Sequence, residues 1–426
     1  MLGLIAISTI SNFICGRGIY DSSDVKVKKR WLWTAILINI GMLGWFKYAG
    51  FFVSSLSGLL LLLGLPVDRV MLVIILPIGI SFYAFHSLSY SIDIYRHELE
   101  PTDSLVEFAA FVTYFPQMVA GPIVRARELL FQLQRERILS AAMVQTGVGM
   151  LIVGFFMKGV VADNLALDLV DPVFANPSEY NSTTLWYALV GYACQIYADF
   201  YGYSMIASGS AMLMGIKLPV NFRFPYLATS FSDFWQRWHI SMSRFFRDYV
   251  YVPLGGNRGT PTRTLINLAT TNILSGLWHG ANWTFVAWGV QHAVLNTLNQ
   301  LVRGLVPLNG SFRSILIRFS ILPRWMFVQW MVLLTWVVFR CADLQSASVF
   351  YRGLFVLHGG RSITPNNLTL FCLVAVVVDH AYGWVREHQG KPRLLAAYYP
   401  VAYAAMIIAL FNGLPKAAVP FIYFQF

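Results

Sequence analysis

Apolar stretches recur along all 426 residues of the chain, and no long polar region separates them. Hydrophobic residues make up 57% of the sequence and charged residues only 12%, so the chain cannot cover itself with a normal polar surface. Length alone would allow two or three soluble domains, but this distribution favours one membrane domain over residues 1–426. We therefore predict an all-α polytopic protein that sits in a lipid bilayer.

The apolar stretches predict roughly ten to thirteen helices that cross the membrane or re-enter it. Among them are Leu2–Cys15, Trp31–Phe46, Phe51–Leu65, Leu185–Ala198 and Tyr203–Leu218. Several are shorter than the ~20 residues that a bilayer requires, so we expect tilted, re-entrant or buried segments. Non-helical backbone survives at membrane depth only where protein or a water-filled cavity covers it, which predicts a central cavity.

The net charge of +11 comes largely from basic residues in short loops beside apolar stretches. This pattern is typical of cytoplasmic membrane loops and does not predict nucleic-acid binding. We place the loops 17–30, 125–137 and 221–263 in the cytoplasm because each carries several Lys or Arg residues. The stretch 163–184 has acidic residues and no Lys or Arg, so we expect an outer loop there.

The cysteines lie far apart in or beside apolar runs, without metal-ligand or disulfide spacing. They are Cys15, Cys194, Cys341 and Cys372. We expect them to be lipid-facing or core-facing fillers. The chain also lacks GxSxG, P-loop, HExxH and CxxC motifs. We predict no metal ion and no tightly bound cofactor.

Ionisable residues in apolar surroundings are functional candidates because their burial is costly unless they are paired or hydrated. His97, His358 and His388 lie in polar loops and are expected to be solvated. For His86 and His380, in or beside apolar runs, a hydrogen-bonded packing role is favoured over chemistry. These five histidines are therefore not our leading candidates.

The other three histidines, His239, His279 and His292, crowd into the most polar and glycine-rich part of the chain. Aromatic and basic residues alternate over 231–263, which predicts a cytoplasmic amphipathic helix at the inner membrane interface. Plain anchoring is the alternative for that segment. The 264–301 stretch would then be a histidine-bearing core.

Several motifs carry a resemblance over most of the chain. They are FWQRWHISMS at 234–243, FRDYVYVPLGGNRG at 246–259 and LWHGANWTFVAWGVQH at 277–292, with LPIGISFYAFHSLSYSIDIYR, FPQMVAGPIVRA and YADFYGYSMIASG upstream. Together they resemble the membrane-bound O-acyltransferase family, specifically its alginate O-acetyltransferase branch. The resemblance implies the fold of that family, with helices around a central cavity.

Two features depart from the branch. Its members usually begin with additional apolar helix, so the resemblance implies that one or two N-terminal helices are missing before Met1. The branch commonly has an acidic residue where this chain has Met205, which leaves Asp199 as the nearby carboxylate.

The resemblance implies acyl transfer from a thioester, such as acetyl-CoA, to a hydroxyl group. Such a transfer needs a base for the hydroxyl proton and a group that stabilises the oxyanion. The resemblance places His279 at the catalytic position and makes His239 the second histidine, which orients or polarises the donor. A structural hydrogen bond is the alternative for His239. For His292 packing is favoured over catalysis.

Further candidates line the predicted site or tunnel: Trp278, Asn282, Asp248 and Asp199. The cytoplasmic arginines are candidates for binding the phosphates of a nucleotide-bearing donor, with the ordinary positive-inside bias as the alternative. They are Arg237, Arg244, Arg247 and Arg258. Because the thioester is cytoplasmic and the acceptor lies outside, we predict that His279 sits in a tunnel open to both faces.

The sequence ends in FIYFQF at 421–426, which we expect near the outer face. An aromatic end at an interface is usually an anchor. This one also resembles a C-terminal tyrosine motif of acyl exporters in the family, which implies that Tyr423 carries the acyl group covalently. A phenol with a pKa of about 10 is a poor nucleophile unless a base such as His279 is within reach.

The resemblance implies transfer of an acetyl group across a bacterial inner membrane to an exported, alginate-like polysaccharide. It also implies an extracytoplasmic partner of the serine-esterase type. Peptidoglycan O-acetylation and export of a D-alanyl-type group remain alternatives. A passive channel or transporter would also need a polar cavity, but the sequence lacks paired halves with matching Gly and Pro interruptions. A purely structural scaffold would leave the WHIS and WHG motifs unexplained.

Overall fold

The structure, a computed structural model, describes residues 2–65, 72, 74–118, 121–305, 311–390, 398–417 and 419–422, with backbone alone for 302–305 and 311–320. Helices dominate these residues, where the one β-type pairing is an isolated bridge between Tyr180 and Arg361. The all-α prediction is confirmed. The chain forms two compact units: Met1–Gly147 with Ala207–Pro219, and Val148–Ile206 with Val220–Phe426.

The first unit contains seven described helices and the beginning of an eighth. The seven are α1 (Leu2–Asp21), α2 (Val25–Leu43), α3 (Ala49–Leu62), α4 (Ile80–Tyr95), α5 (Leu105–Val112), α6 (Phe115–Met118) and α7 (Ala126–Gln134). A π-helical stretch, Gly44–Tyr48, joins α2 to α3, so Val25–Leu62 is one helical run of 38 residues. The apolar stretches Trp31–Phe46 and Phe51–Leu65, which the sequence shows as separate, therefore belong to one helical run. Lys47 stays inside the helix because its Nζ donates a hydrogen bond to Ser81 Oγ at 3.2 Å.

Helix α1 has an inverted distribution of polar and apolar side chains. Its buried residues include Ser8 and Asn12, whereas Ile7, Ile10 and Ile14 on the same helix are exposed. Ser8 Oγ donates to Asn39 Oδ1 at 3.0 Å, and Ser91 Oγ donates to Asn12 Oδ1 at 2.9 Å. Such interhelical polar contacts inside an apolar shell are typical of helices packed in a bilayer.

The second unit contains most of α8 and the helices that follow, of which α11 ends in the first unit. They are α8 (Ala141–Phe155), α9 (Asp163–Leu165), α10 (Asp171–Ala175), α11 (Ser182–Leu213), α12 (Phe231–Arg237), α13 (Ile240–Phe246), α14 (Pro261–His279), α15 (Trp283–Leu305), α16 (Ser311–Arg340), α17 (Leu344–Phe355), α18 (Asn367–Gln389) and α19 (Tyr399–Gly413). Short turns of 3₁₀-helix cover Pro177–Glu179 and Pro225–Leu227, and a π-helical stretch covers Arg247–Tyr251.

The predicted outer loop at 163–184 is wrong in its first part. Two π-helical stretches, Phe156–Ala162 and Ala166–Val170, keep Ala141–Ala175 helical throughout. The acidic residues that suggested a loop are bound to partners: Asp163 to Lys158, Asp168 to Asn366, Asp171 to Arg340 and Glu179 to Arg361. Because these partners satisfy the carboxylates, the helix can continue through an acidic sequence.

The apolar stretches Leu185–Ala198 and Tyr203–Leu218 are also joined, because α11 runs through Ala198 and Tyr203 without interruption. Gly202 does not break the helix but allows another one to approach it. A Cβ atom at Gly202 would lie 2.8 Å from the carbonyl oxygen of Gly154 and 2.8 Å from the backbone nitrogen of Lys158. Small residues of this kind allow membrane helices to pack backbone against backbone.

Five helical stretches among the described residues are long and apolar enough to cross a membrane: Leu2–Asp21, Val25–Leu62, Ala141–Ala175, Ile321–Arg340 and Asn367–Gln389. Many large apolar side chains on them face outward, among them Leu37, Phe155 and Val377. All four cysteines are free and buried, which selects the core-facing alternative of the two that the sequence left open. The chain is a multi-pass membrane protein.

Candidate active site

The segment 231–263 does not form the single amphipathic helix that we predicted. Helices α12 and α13 are separated by Trp238 and by His239, which has a left-handed backbone with φ of 41°. Trp238, Phe245 and Phe246 are buried within the second unit, so they pack against protein instead of anchoring at a lipid interface. The break presents His239 to the protein interior, and its side chain is fully buried.

Asn221 fixes the orientation of the His239 ring. His239 Nδ1 lies 3.0 Å from Asn221 Oδ1, which also accepts from the backbone N–H of Ser241 at 3.3 Å and from its hydroxyl at 2.8 Å. An oxygen in this position can only accept, so Nδ1 carries the proton and Nε2 the lone pair. Burial lowers the pKa of His239 to about 3, which favours the neutral ring. Within the described residues Nε2 has no hydrogen-bond partner.

Trp278 lies between the two leading candidates. Its ring centroid is 6.0 Å from that of His239 and 5.1 Å from that of His279. His279 is the last residue of α14 and only 4% exposed. The rings of Trp288 and Phe339 each lie 5.1 Å from it. The structure therefore brings the predicted catalytic pair together around one indole, with His279 in an aromatic cage.

Two glycines bring α14 and α15 close together behind His279. A Cβ atom at Gly289 would lie 2.7 Å from the carbonyl oxygen of Asn272, and one at Gly276 would collide with the carbonyl oxygen of Phe285. Asn282 holds the turn between the helices, since its Nδ2 donates to the Ala342 carbonyl at 2.8 Å and its Oδ1 accepts from the N–H of Thr284 at 3.1 Å. We thus assign Asn282 to the turn.

His292 lies among aromatic rings, 4.6 Å from Trp288 and 5.0 Å from Trp235. Its Nε2 is 3.3 Å from Thr335 Oγ1, whose hydroxyl donates to the Val332 carbonyl at 2.7 Å. These contacts support the packing role that was favoured from the sequence.

A cavity of about 500 Å³ opens beside α14. Its walls include Trp235, Met242, Ser275 and the basic residues Arg223, Arg244 and Arg247. Ser275 lies one helical turn before His279 on the same helix. Neither His239 nor His279, both described by the structure, lines this cavity. The tunnel that would reach His279 from both faces stays a prediction.

The predicted arginine cluster divides into paired and unpaired side chains. Arg237 binds Asp233 at 2.8 Å and Glu387 at 2.8 and 3.1 Å, and it does not line the cavity. Arg247 is paired with Asp248 at 2.6 Å. Arg244 lines the cavity and has no ion pair among the described residues. Arg244 is therefore the arginine most available to an anionic ligand.

Asp199 is buried in α11 and forms an ion pair of 2.7 Å with Lys158. Its Oδ2 accepts a hydrogen bond of 2.9 Å from the backbone N–H of Ile422. Tyr423, the predicted acyl carrier, lies outside the described residues. Sequence reasoning missed Lys158 and Asn221. A lone lysine within an apolar helix was the available signal for Lys158, whereas nothing local marked Asn221.

Comparison with known proteins agrees with a multi-pass helical membrane protein. The model of the membrane-bound O-acyltransferase family matches residues 95–342, so the chain belongs to that family and is an acyltransferase. It is 39% identical to a probable alginate O-acetylase of Azotobacter vinelandii over 92% of this chain and 77% of that protein.

Two further relatives are named for the transfer of acyl groups to other polymers. A peptidoglycan O-acetyltransferase of Helicobacter pylori is 31% identical over 84% of this chain and 71% of its own length. A teichoic acid D-alanyltransferase of Bacillus subtilis is 30% identical over 52% of this chain and 58% of its own length.

Proposed function

We propose that this chain moves an acetyl group from a cytoplasmic thioester, such as acetyl-CoA, across a bacterial inner membrane to an exported, alginate-like polysaccharide. The observation that carries the proposal is the cavity with Arg223 and Arg244 in its wall, which includes Ser275 one turn before His279. The name of the Azotobacter vinelandii relative supports the choice of polysaccharide.

In the proposed reaction, His279 takes the proton of the acceptor hydroxyl while the oxygen of that hydroxyl attacks the thioester carbonyl. A carbon–oxygen bond forms, the carbon–sulfur bond breaks, and the departing thiolate takes up the proton. His239 has its lone pair on Nε2, so it suits acceptance of a hydrogen bond from the hydroxyl or thiol better than polarisation of the carbonyl.

The first acceptor is the Tyr423 phenol or a serine of an extracytoplasmic partner of the serine-esterase type. The partner then places the acetyl group on the polymer. A relay through Tyr423 keeps the group in ester linkage at each step, so the energy of the thioester is not lost to hydrolysis.

The test is His279→Ala at a membrane level equal to that of the unchanged protein. We expect polymer acetylation to fall by about 100-fold or more, as for loss of a general base. His388→Ala is the control, since His388 is exposed and contacts Trp384 on its own helix, through the Trp384 carbonyl and by ring stacking. Normal acetylation in the His279 variant would reject the catalytic assignment.

A second experiment separates the alternatives. Membranes are incubated with labelled acetyl-CoA, and label is sought on Tyr423, on the partner, on alginate and on peptidoglycan. Label on peptidoglycan alone would select the activity named for the Helicobacter pylori relative. Label on the partner but not on Tyr423 would remove the tyrosine from the relay and leave His279 in place. Polymer acetylation that does not depend on a thioester would favour a channel.

A further inference from the structure

The segment Val419 to Ile422, called here the 419–422 segment, is held by two charged side chains that the proposed reaction does not use. Asp199 Oδ2 accepts from the N–H of Ile422 at 2.9 Å, and Lys158 Nζ donates to the carbonyl oxygen of Val419 at 3.3 Å. Asp199 and Lys158 are themselves paired at 2.7 Å. One ion pair thus binds both a donor and an acceptor of the same backbone segment.

The ion pair is largely buried, with 3% of the Asp199 side chain and 16% of the Lys158 side chain exposed. Two charges in apolar surroundings are costly unless hydrogen bonds complete their partners. Lys158 also binds Asp163 at 2.5 Å, so its ammonium has two carboxylates and one carbonyl around it. The pair therefore does more than join two helical stretches, since it also binds backbone groups of the 419–422 segment.

Aromatic contacts connect the held segment to the candidate site. The Phe421 ring lies 4.4 Å from Tyr203 and 5.9 Å from Phe200. The Phe200 ring is in turn 4.5 Å from His239. A single ring therefore separates the 419–422 segment from one of the two candidate histidines, and Tyr423 is the next residue in the chain.

We propose that Lys158 and Asp199 are positioning residues that clamp the 419–422 segment against Phe200 and so hold the Phe200 ring in place beside His239 for acyl transfer. The second half of this proposal rests on the proposed function. The first half is a statement about binding of the segment and can be tested without any substrate.

The binding test is hydrogen exchange of the full chain in detergent, followed at the backbone amides of Phe421 and Ile422. Asp199→Ala and Lys158→Met are expected to speed exchange there about tenfold or more, since each removes a hydrogen bond that closes the segment. Lys158→Arg keeps a cationic donor and should restore slow exchange. Unchanged exchange in Asp199→Ala would overturn the clamp.

Asp379→Asn is the matched control. Asp379 is another carboxylate of the second unit, and it accepts from the Tyr197 hydroxyl at 2.7 Å without touching the 419–422 segment. Its replacement should leave exchange at Phe421 and Ile422 unchanged. Faster exchange there in this variant would mean that any buried defect loosens the segment, and the assignment to Lys158 and Asp199 would be lost.

Acyl transfer supplies the second readout. Loosening the packing of Phe200 beside His239 should lower kcat about tenfold while KM for acetyl-CoA stays the same, because the donor cavity is untouched. Lys158→Arg should recover kcat. Faster exchange with a normal kcat would overturn the positioning role. If the unchanged protein transfers no acyl group at all, the proposed function fails, and hydrogen exchange still decides the clamp.

Discussion

Nδ1 of His239 lies 3.0 Å from Oδ1 of Asn221, which precedes it in the chain by 18 positions. This contact sets the tautomer of the ring and leaves the Nε2 lone pair available. The two residues meet because the chain breaks its helix at His239 and returns to Asn221, where the N–H of Ile240 also donates to the Asn221 carbonyl at 2.9 Å.

Replacing Asn221 by Ala should lower acyl transfer by about tenfold, since a buried N–H without an acceptor costs ~1–3 kcal/mol and the ring can then protonate at Nε2. The measurement is the initial rate of polymer acetylation at matched membrane level. Ser204→Ala is the control, because Ser204 Oγ accepts from Asn221 Nδ2 at 3.1 Å and so leaves the Asn221 Oδ1 that holds His239 in place. An unchanged rate in the Asn221 variant would show that ring orientation is unimportant.

Arg244→Ala should raise KM for acetyl-CoA by about tenfold with little change in kcat, because a charge-assisted contact to phosphate would be lost. The difference should shrink as salt is added. Arg263→Ala provides the comparison, since Arg263 is exposed and lies outside the cavity wall. Equal KM values for the two variants would rule out Arg244 as a donor contact.

Gly276→Ala should destabilise the protein by about 1–3 kcal/mol, because the added Cβ would push α14 away from the carbonyl of Phe285. Thermal unfolding in detergent measures the loss. Gly41→Ala tests the effect of a methyl group alone, since nothing lies within 4 Å of a Cβ there. Similar unfolding temperatures for both variants would argue against close helix packing behind His279.

Asp343 caps α17, and its Oδ1 accepts from the backbone N–H of Ser346 at 2.6 Å. This hydrogen bond lowers the pKa of the Asp343 carboxyl. A lowered pKa means that the stabilisation is fully present above the ordinary aspartate range and is lost as the pH falls through the lowered value. Asp343→Ala should therefore cost about 1 kcal/mol at neutral pH and less in acid.

Asp343→Asn keeps a capping oxygen that does not titrate, so its stability relative to Asp343→Ala should not vary with pH. Unfolding in denaturant at several pH values measures both differences. A cost of Asp343→Ala that stays constant down to strongly acidic pH would contradict the role of the charged cap.

The helical membrane architecture could be predicted because apolar runs and basic loops are properties of local sequence. His239 and His279 could be singled out because their motifs are distinctive, and in the structure both rings lie near that of Trp278. The breaks in the helices could not be predicted equally well. Lys47 and Asp163 lie where the apolar stretches end, but each stays in a helix. Lys47 is bound by Ser81, and Asp163 is bound by Lys158 one turn earlier.

The clamp on the 419–422 segment shows the same limit more clearly. Lys158 and Asp199 are 41 positions apart, and Ile422 is a further 223 positions along the chain. No periodicity within a window connects such residues, since their contact depends on how the π-helical stretch Phe156–Ala162 packs against α11. Asn282 was likewise predicted to line a tunnel, but its amide donates to the carbonyl of Ala342, 60 positions away.

The wide turn at Phe156–Ala162 has a consequence for the rest of its helix. Lys158 and Asp163 are five residues apart, a spacing that an α-helix would place about 140° apart around its axis. A π-helical turn closes at that spacing and puts both on one side, where they meet at 2.5 Å. Each extra residue that a π-helical turn takes up rotates the side chains of the following helix by about 100° around the helix axis. The side from which Asp171 reaches Arg340 is therefore decided by a local bulge in the backbone, and a helical wheel drawn through this stretch would assign its later residues to the wrong face.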